Sequence, residues 1–109
     1  MKLGEQEKFW KGKFGDKYLK RNVIQNRHLV IGKDLLDNKI SISSAVELGP
    51  NIGLNLDGLK RVYPELKTFG VEINKKAFNI LKKKHSCVNK SILNFKSKKK
   101  YDLVLITGV

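Results

Sequence analysis

The sequence has little of what marks a secreted, membrane-spanning or disulfide-bonded protein. Cys87 is the only cysteine among 109 residues, so no internal disulfide forms. No apolar run approaches the roughly 18 residues that a membrane-spanning helix requires. The N-terminal residues 1–8 lack the apolar core of a secretory signal. We therefore expect at most one domain, with a modest core, in the reducing cytoplasm and without a membrane partner.

Acidic residues and arginine are also scarce, which leaves the chain strongly basic. The chain has ten Asp and Glu residues against 23 Lys and Arg residues, which gives a net charge of +13. Arginine occurs only at Arg21, Arg27 and Arg61. A basic surface attracts phosphate backbones, so a nucleic-acid partner is possible. However, the lysine runs 82–84 and 98–100 fall at a predicted helix end and in a predicted loop, and no aromatic residues alternate with them. We therefore favour a solvated lysine surface over a nucleic-acid site.

The remaining apolar residues alternate between short strand-like runs and helical patterns. Ala45, Val46 and Leu48 are typical of a buried parallel strand, and Pro64 ends the helix that follows Gly53. The predicted elements are a helix at 24–36, strand one at 45–48, a helix from 53 to 63, strand two at 66–73, a helix at 75–84 capped by Asn74, a weak strand three at 87–88 and strand four at 101–106. This order predicts an α/β fold with a parallel sheet and right-handed crossovers.

The two ends of the chain suggest different roles. A buried parallel strand is a poor place for a domain to end, so strand four, followed only by 107–109, predicts a truncated sheet. The N-terminal residues 1–43 are predicted as a helical arm or cap, and residues 44–109 as an incomplete α/β half-domain. The aromatic residues of 9–18 suit either packing on the domain or a lid over a ligand.

Acidic residues end the first two strands, beside a glycine turn. Glu47 closes strand one just before Gly49, and Glu72 closes strand two. A glycine turn with such an acid suits a nucleotide-like ligand. A dinucleotide would require glycine where Asn51 and Leu54 stand. The carboxylate of Glu47 instead favours a ligand that carries an ammonium and a sulfonium group.

Three stretches resemble the first motifs of class I S-adenosylmethionine-dependent methyltransferases. They are Glu47-Leu48-Gly49-Pro50-Asn51-Ile52-Gly53, then Glu72, then Tyr101-Asp102-Leu103-Val104-Leu105 leading into Thr107-Gly108-Val109. The element from Phe9-Trp10 to Arg21-Asn22, together with Asn51 and Asn55, resembles more narrowly the methylases associated with pseudaminic acid biosynthesis. The resemblance implies a Rossmann-like fold, truncated to parallel strands one to four with flanking helices, and S-adenosylmethionine as the cofactor.

The resemblance also implies which residues contact the cofactor. Glu72 would accept hydrogen bonds from the ribose hydroxyls, and the Gly49–Gly53 turn would approach the methionine and ribose portions. The full set is Tyr18, Arg21 and Asn22 over the carboxylate end; Glu47, Leu48, Gly49, Pro50, Asn51 and Gly53 at the turn; Glu72 at the ribose; Ile73, Ser91 and Ile92 at the adenine; and Thr107 and Gly108 near the methyl group. Family members often carry aspartate at the position of Ser91.

The function implied is methyl transfer to a sugar, a nonulosonate or another surface-glycan intermediate. Two alternatives stay open: an RNA or protein methyltransferase, and a non-catalytic fragment of a nucleotide-binding Rossmann-like protein. The sequence assigns no catalytic base and shows no metal-ligand spacing. It does not predict an oligomeric state.

Overall fold

The computed structural model describes residues 23–107. Its elements are α1 (Asn26–Asp37), β1 (Ser44–Leu48), α2 (Leu54–Val62), β2 (Lys67–Val71), α3 (Lys75–Leu81), β3 (Ser86–Val88) and β4 (Leu103–Ile106). The four strands form one parallel sheet in the order β3-β2-β1-β4. β1 therefore has β2 on one side and β4 on the other, and the strand order reverses there, as it does at ligand-binding edges of open α/β sheets.

The structure confirms the predicted order of elements and shortens several of them. β2 ends at Val71, which pairs with the last residue of β1, so the predicted residues 72 and 73 lie beyond the ladder. α3 ends at Leu81, and the lysines that follow form tight turns in which Lys84 N donates to the carbonyl of Leu81. The weak third strand is real, and Cys87 pairs in register with Gly70.

One face of the sheet is covered by α2 and α3. Their buried leucines pack on the strands in a single cluster, formed by Ala45, Leu56, Leu59, Leu66, Leu81 and Leu105. The buried face of α2 contains Leu56 and Leu59, with Tyr63 at its margin. Ile52 precedes the helix and packs in a second cluster with Leu54 and Ala77.

α1 packs against α2, and glycine allows the close approach. A Cβ atom at Gly58 would overlap the carbonyl oxygen of His28, and one at Gly32 would lie 2.9 Å from a Val62 methyl group. His28 is buried, and its Nδ1 accepts a hydrogen bond from the backbone N–H of Gln25 at 2.8 Å. This histidine therefore has a structural role at the start of α1.

A buried polar network ties α2 to the turn after α3. His85 Nε2 lies 2.6 Å from Asp57 Oδ1, and His85 Nδ1 lies 2.5 Å from Thr68 Oγ1. Lys84 Nζ donates to the other oxygen of Asp57. Burial alone would raise the pKa of Asp57, but the hydrogen bonds from His85 and Lys84 lower it overall. The network therefore holds a charged aspartate half-buried beside the sheet.

The opposite face of the sheet is covered less completely by the described residues. Val46 and Val71 are buried there, whereas Val104 and Ile106 of β4 are 57% and 58% exposed. No helix within residues 23–107 is long and apolar enough to cross a membrane.

Two glycine-to-alanine variants separate backbone overlap from side-chain overlap at the α1–α2 contact. Both changes gain about 1 kcal/mol of helix propensity. Gly58→Ala forces the helices apart because a carbonyl oxygen stands in the way, so we expect net destabilisation of about 1–3 kcal/mol. Gly32→Ala meets only the Val62 side chain, and its stability should stay near wild type. Denaturant unfolding measures both, and equal stabilities would contradict the packing described.

Candidate functional site

The carboxyl ends of β1, β2 and β4 meet at one edge of the sheet, where a loop with left-handed backbone follows β1. Gly49, Asn51 and Gly53 have φ angles of 79°, 57° and 92°. The Gly49 N–H donates to the carbonyl of Val71 at 2.9 Å, and the Gly53 N–H to that of Pro50 at 2.9 Å. Glycine supports such angles at low cost, and asparagine is the side chain that next best tolerates them. The loop therefore presents its backbone to the edge.

Gly53 is required by packing as well as by its backbone angle. A Cβ atom there would lie 2.6 Å from Leu81 Cδ1. α2 starts at the next residue, and no side chain caps it. Leu48, half-buried, ends β1, and Pro50 packs over Gly70 of β2, whose added Cβ would lie 2.8 Å from Pro50 Cγ. The loop is thus pressed against the sheet while the amino terminus of α2 faces the edge.

Glu72 fastens this loop to the end of β2. Its Oε1 accepts a hydrogen bond from Asn51 N at 2.6 Å, and its Oε2 accepts one from Asn74 N at 2.7 Å. The side chain is almost fully buried, and burial raises the pKa of Glu72 despite these hydrogen bonds. A carboxylate has about four acceptor positions. The backbone N–H groups of Asn51, Ile73 and Asn74 use three of them, which leaves acceptor capacity for a ligand hydroxyl.

Glu47 is the second buried carboxylate at this edge. Oε2 accepts hydrogen bonds from Asn55 Nδ2 at 3.1 Å and from Thr107 Oγ1 at 3.0 Å. Oε1 is buried and has no hydrogen-bond partner among residues 23–107. Burial raises the pKa of Glu47 to about 7, and the Glu72 charge adds to this, although the Asn55 and Thr107 hydrogen bonds oppose it. A buried, unpaired carboxylate oxygen is costly, which indicates a position for a ligand donor.

Asn55 joins the site without having been predicted as a site residue. It stands in the first turn of α2, and its Nδ2 donates both to Glu47 Oε2 and, at 3.0 Å, to Thr107 Oγ1. Asn55, Glu47 and Thr107 therefore form one hydrogen-bonded group across β1, α2 and the end of β4. The only sequence signal was that Asn55 belongs to the motif after Gly53.

The segments after β2 and β3 lie side by side at the same edge. Asn89, also not predicted, donates from Nδ2 to the carbonyls of Glu72 at 2.8 Å and Ile73 at 3.1 Å. Ser91 is buried, and its Oγ accepts a hydrogen bond from Leu93 N. Ile73 and Ile92 are half-buried. The structure thus places the three predicted adenine contacts on neighbouring segments.

Some predicted site residues lie outside the described part of the chain. Tyr18, Arg21 and Asn22, the proposed lid, belong to residues 1–22, and Gly108 follows the last described residue. The lid and the Gly108 contact therefore stay predictions. Within residues 23–107, no three His, Cys, Asp or Glu side chains are grouped to hold a metal ion.

The described residues fit a ligand that has hydrogen-bond donors at two separated places. Glu47 Oε1 offers a buried acceptor at the β1 end, and Glu72 offers spare acceptor capacity at the β2 end. Between them runs the left-handed loop, where the Cβ-free glycines let a ligand approach the backbone. An amino-acid ammonium and a pair of ribose hydroxyls match these two acceptors in kind.

No protein-family model matches the sequence, and no curated protein matches it. Solved structures do match in fold. The plantazolicin methyltransferase BpumL in complex with SAH gives a TM-score of 0.67 at 21% identity, over 93% of this chain and 44% of that one. The sugar N-methyltransferase KedS8 from Streptoalloteichus sp ATCC 53650 gives 0.67 at 13% identity, over 89% of this chain and 40% of that one.

A third match is an S-adenosylmethionine-dependent methyltransferase from Clostridium acetobutylicum ATCC 824, with a TM-score of 0.60 at 16% identity, over 85% of this chain and 40% of that one. The chain therefore has the Rossmann-like methyltransferase fold, as predicted. It spans less than half the length of each of these proteins.

Glu47→Gln tests the buried, unpaired carboxylate. A carboxyl group whose pKa is raised from 4.5 to about 7 by folding makes the protein less stable as pH rises between those values. The loss is about 3 kcal/mol, at 1.36 kcal/mol per pH unit. Glutamine carries no charge, so the stability of the variant relative to wild type should rise by about that amount from about pH 4 to about pH 8.

Denaturant unfolding at the two pH values measures this difference. The matched control is Glu65→Gln, which removes an exposed carboxylate and should follow the wild-type pH profile. A Glu47→Gln profile parallel to wild type would show that this carboxylate does not titrate as described.

Proposed function

We propose that this edge binds S-adenosylmethionine and that the chain is the cofactor-binding part of a methyltransferase. The observation that carries the proposal is the unpaired, buried Oε1 of Glu47 beside the loop at the strand-order reversal. A negative charge there would repel the pyrophosphate of a dinucleotide and attract an ammonium or sulfonium group. The methyltransferase folds that match this chain, including one solved with SAH, support the same ligand.

Each described residue then has a defined part in holding the cofactor. Glu72 accepts hydrogen bonds from the ribose hydroxyls while it continues to hold the loop at Asn51. Glu47, kept in place by Asn55 and Thr107, faces the cationic methionine end. The other proposed contacts are the turn at Leu48, Gly49, Pro50 and Gly53, the adenine side at Ile73, Ser91 and Ile92, and the undescribed Tyr18, Arg21, Asn22 and Gly108.

Methyl transfer from S-adenosylmethionine depends more on the positions of the two reactants than on acid–base groups of the protein. When bound, S-adenosylmethionine supplies a methyl group already activated by the sulfonium. The protein fixes the direction of attack and excludes water, and such positioning lowers the barrier substantially. Glu47 and Glu72 hold the two ends of the binding site at fixed places on the sheet edge. We assign no catalytic base to this chain.

We propose a sugar, a nonulosonate or a surface-glycan intermediate as the methyl acceptor. The support is the element from 9 to 22, which resembles the methylases associated with pseudaminic acid biosynthesis. KedS8, whose fold is similar, is itself a sugar N-methyltransferase. In this proposal residues 1–43 form an N-terminal helical arm or cap, of which Tyr18, Arg21 and Asn22 close over the cofactor, and the enzyme acts in the cytoplasm.

Calorimetric titration with S-adenosylhomocysteine and with NAD tests the choice of ligand. The negative charge of Glu47 and the absence of glycine at 51 and 54 disfavour the dinucleotide. We expect heat of binding with S-adenosylhomocysteine and none with NAD. NAD binding in the absence of S-adenosylhomocysteine binding would reverse the assignment and favour a different nucleotide-binding protein.

A ribose-modified ligand isolates the contact proposed for Glu72. Glu72→Ala also frees the loop at Asn51, so weaker binding alone would not identify a ribose contact. We therefore compare S-adenosylhomocysteine with its 2′-deoxy analogue. Wild type should bind the analogue about tenfold more weakly, because a hydrogen bond to a charged group contributes about 1.5–3 kcal/mol.

The Glu72→Ala variant should bind both ligands weakly and with little difference between them. Glu65→Ala, an exposed acid at the other edge, is the matched control and should retain the wild-type preference. A preference that survives in Glu72→Ala would assign the hydroxyl contact to another residue.

A further inference from the structure

A second concave surface lies at the amino-terminal ends of the strands, at the edge opposite the cofactor site. It encloses about 440 Å³. We call it the basal groove, and its lining includes Glu65, Lys67, Phe69, Lys99, Lys100 and Tyr101. The lining residues come from the last turn of α2, from the starts of β1, β2 and β3 and from the segment before β4. Neither the substrate nor the cofactor of the proposed reaction therefore accounts for the groove.

The basal groove is strongly basic. Five lysines line it, and Glu65 is the only carboxylate among the lining residues. Lys84 is paired with Asp57, whereas none of the other four lysines has an ion-pair partner within residues 23–107. The two lysine runs of the sequence, interpreted there as solvated surface, both reach this groove. A groove with several unpaired lysines concentrates anions.

Aromatic rings stand among these lysines. Phe69 lies on β2, with its ring centroid 5.9 Å from that of Phe95 and 6.4 Å from that of Tyr101. Phe69 and Tyr101 both line the groove, and both residues are half-buried. Lys100 directly precedes Tyr101, and Lys67 lies two residues before Phe69 on the same face of β2. The alternation of lysine and aromatic residues that the linear sequence lacks is thus formed by folding.

We propose that the basal groove binds single-stranded nucleic acid. Lysines that track a phosphate backbone, combined with exposed aromatic faces that stack on bases, are the arrangement by which proteins hold single strands without sequence preference. Lys67, Lys99 and Lys100 contact phosphates, and Tyr101 offers a face to one base. A simple anion would use the lysines and leave the rings without a role. The proposal does not depend on the identity of the cofactor or of the methyl acceptor.

The lysine contribution is tested by fluorescence anisotropy with a labelled oligouridylate of about 12 nucleotides, a length that one such groove accommodates. Lys99→Ala/Lys100→Ala removes two groove lysines. Lys33→Ala/Lys75→Ala removes two exposed lysines elsewhere and is the matched control, since the chain is basic throughout. For single strands, log K falls with log salt with a slope of about −0.7 for each neutralised phosphate.

We expect the groove variant to bind more weakly, with a salt slope reduced by about 1.4. The control should stay close to wild type in both affinity and slope. Equal losses in the two double variants would show diffuse attraction to a basic surface and would overturn the proposal.

The aromatic contribution is tested with an abasic oligomer of the same length and charge. Wild type should bind it about tenfold more weakly than the oligouridylate, because stacking on one aromatic ring contributes about 1–3 kcal/mol. Tyr101→Leu, with its fold checked by circular dichroism, should remove most of this difference.

Equal wild-type affinity for the abasic oligomer and the oligouridylate would reduce the groove to a general anion site and refute the proposal. This comparison needs only the wild-type chain, so it decides the matter even if Tyr101→Leu does not fold. Inclusion of a deoxyribose oligomer shows whether the groove prefers RNA or DNA.

Discussion

The carboxylate of Glu72 is the constraint on which the carboxyl edge of this sheet depends. It binds the backbone N–H groups of Asn51 and Asn74, and so it joins the loop after β1 to the start of α3. The Nδ2 of Asn89 donates to the backbone carbonyls of Glu72 and Ile73, and this joins the segment after β3 to the end of β2. The side chains of Glu72 and Asn89 therefore join three chain segments, and the left-handed loop is held against the sheet before any ligand arrives. Such preorganisation reduces the entropy that binding has to overcome.

Two buried carboxylates at one edge carry an energetic cost, which a bound cationic ligand would reduce. Glu72 recovers part of its desolvation through backbone hydrogen bonds, whereas Glu47 leaves one oxygen unpaired among the described residues. A cationic group of the ligand would stabilise the ionised form of Glu47 and lower its raised pKa. Stability sacrificed at a site in this way commonly accompanies binding function. The buried carboxylates at this edge thus lower the stability of the fold and also supply the acceptors for the proposed ligand.

The elements and their order could be predicted from the sequence because the signals are local. These signals are the period of the hydrophobic residues, the helix cap at Asn74 and the helix end at Pro64. The sequence placed Glu47 and Glu72 at adjacent strand ends because parallel strands align their carboxyl termini. It missed Asn55 and Asn89, whose side chains act across elements. It also placed the end of β2 two residues too late. No local pattern shows where a partner strand stops.

The sequence by itself determined the α/β order, the glycine-rich turn with its flanking acids, and the excess of lysine. Each follows from the identity and spacing of neighbouring residues. Only the tertiary structure decided which polar atoms are paired, and it left Glu47 Oε1 unpaired at one edge. It also gathered Phe69 and Tyr101 among lysines at the other edge. These groupings join residues far apart in the chain, and side-chain contacts between strands are fixed only when the sheet assembles.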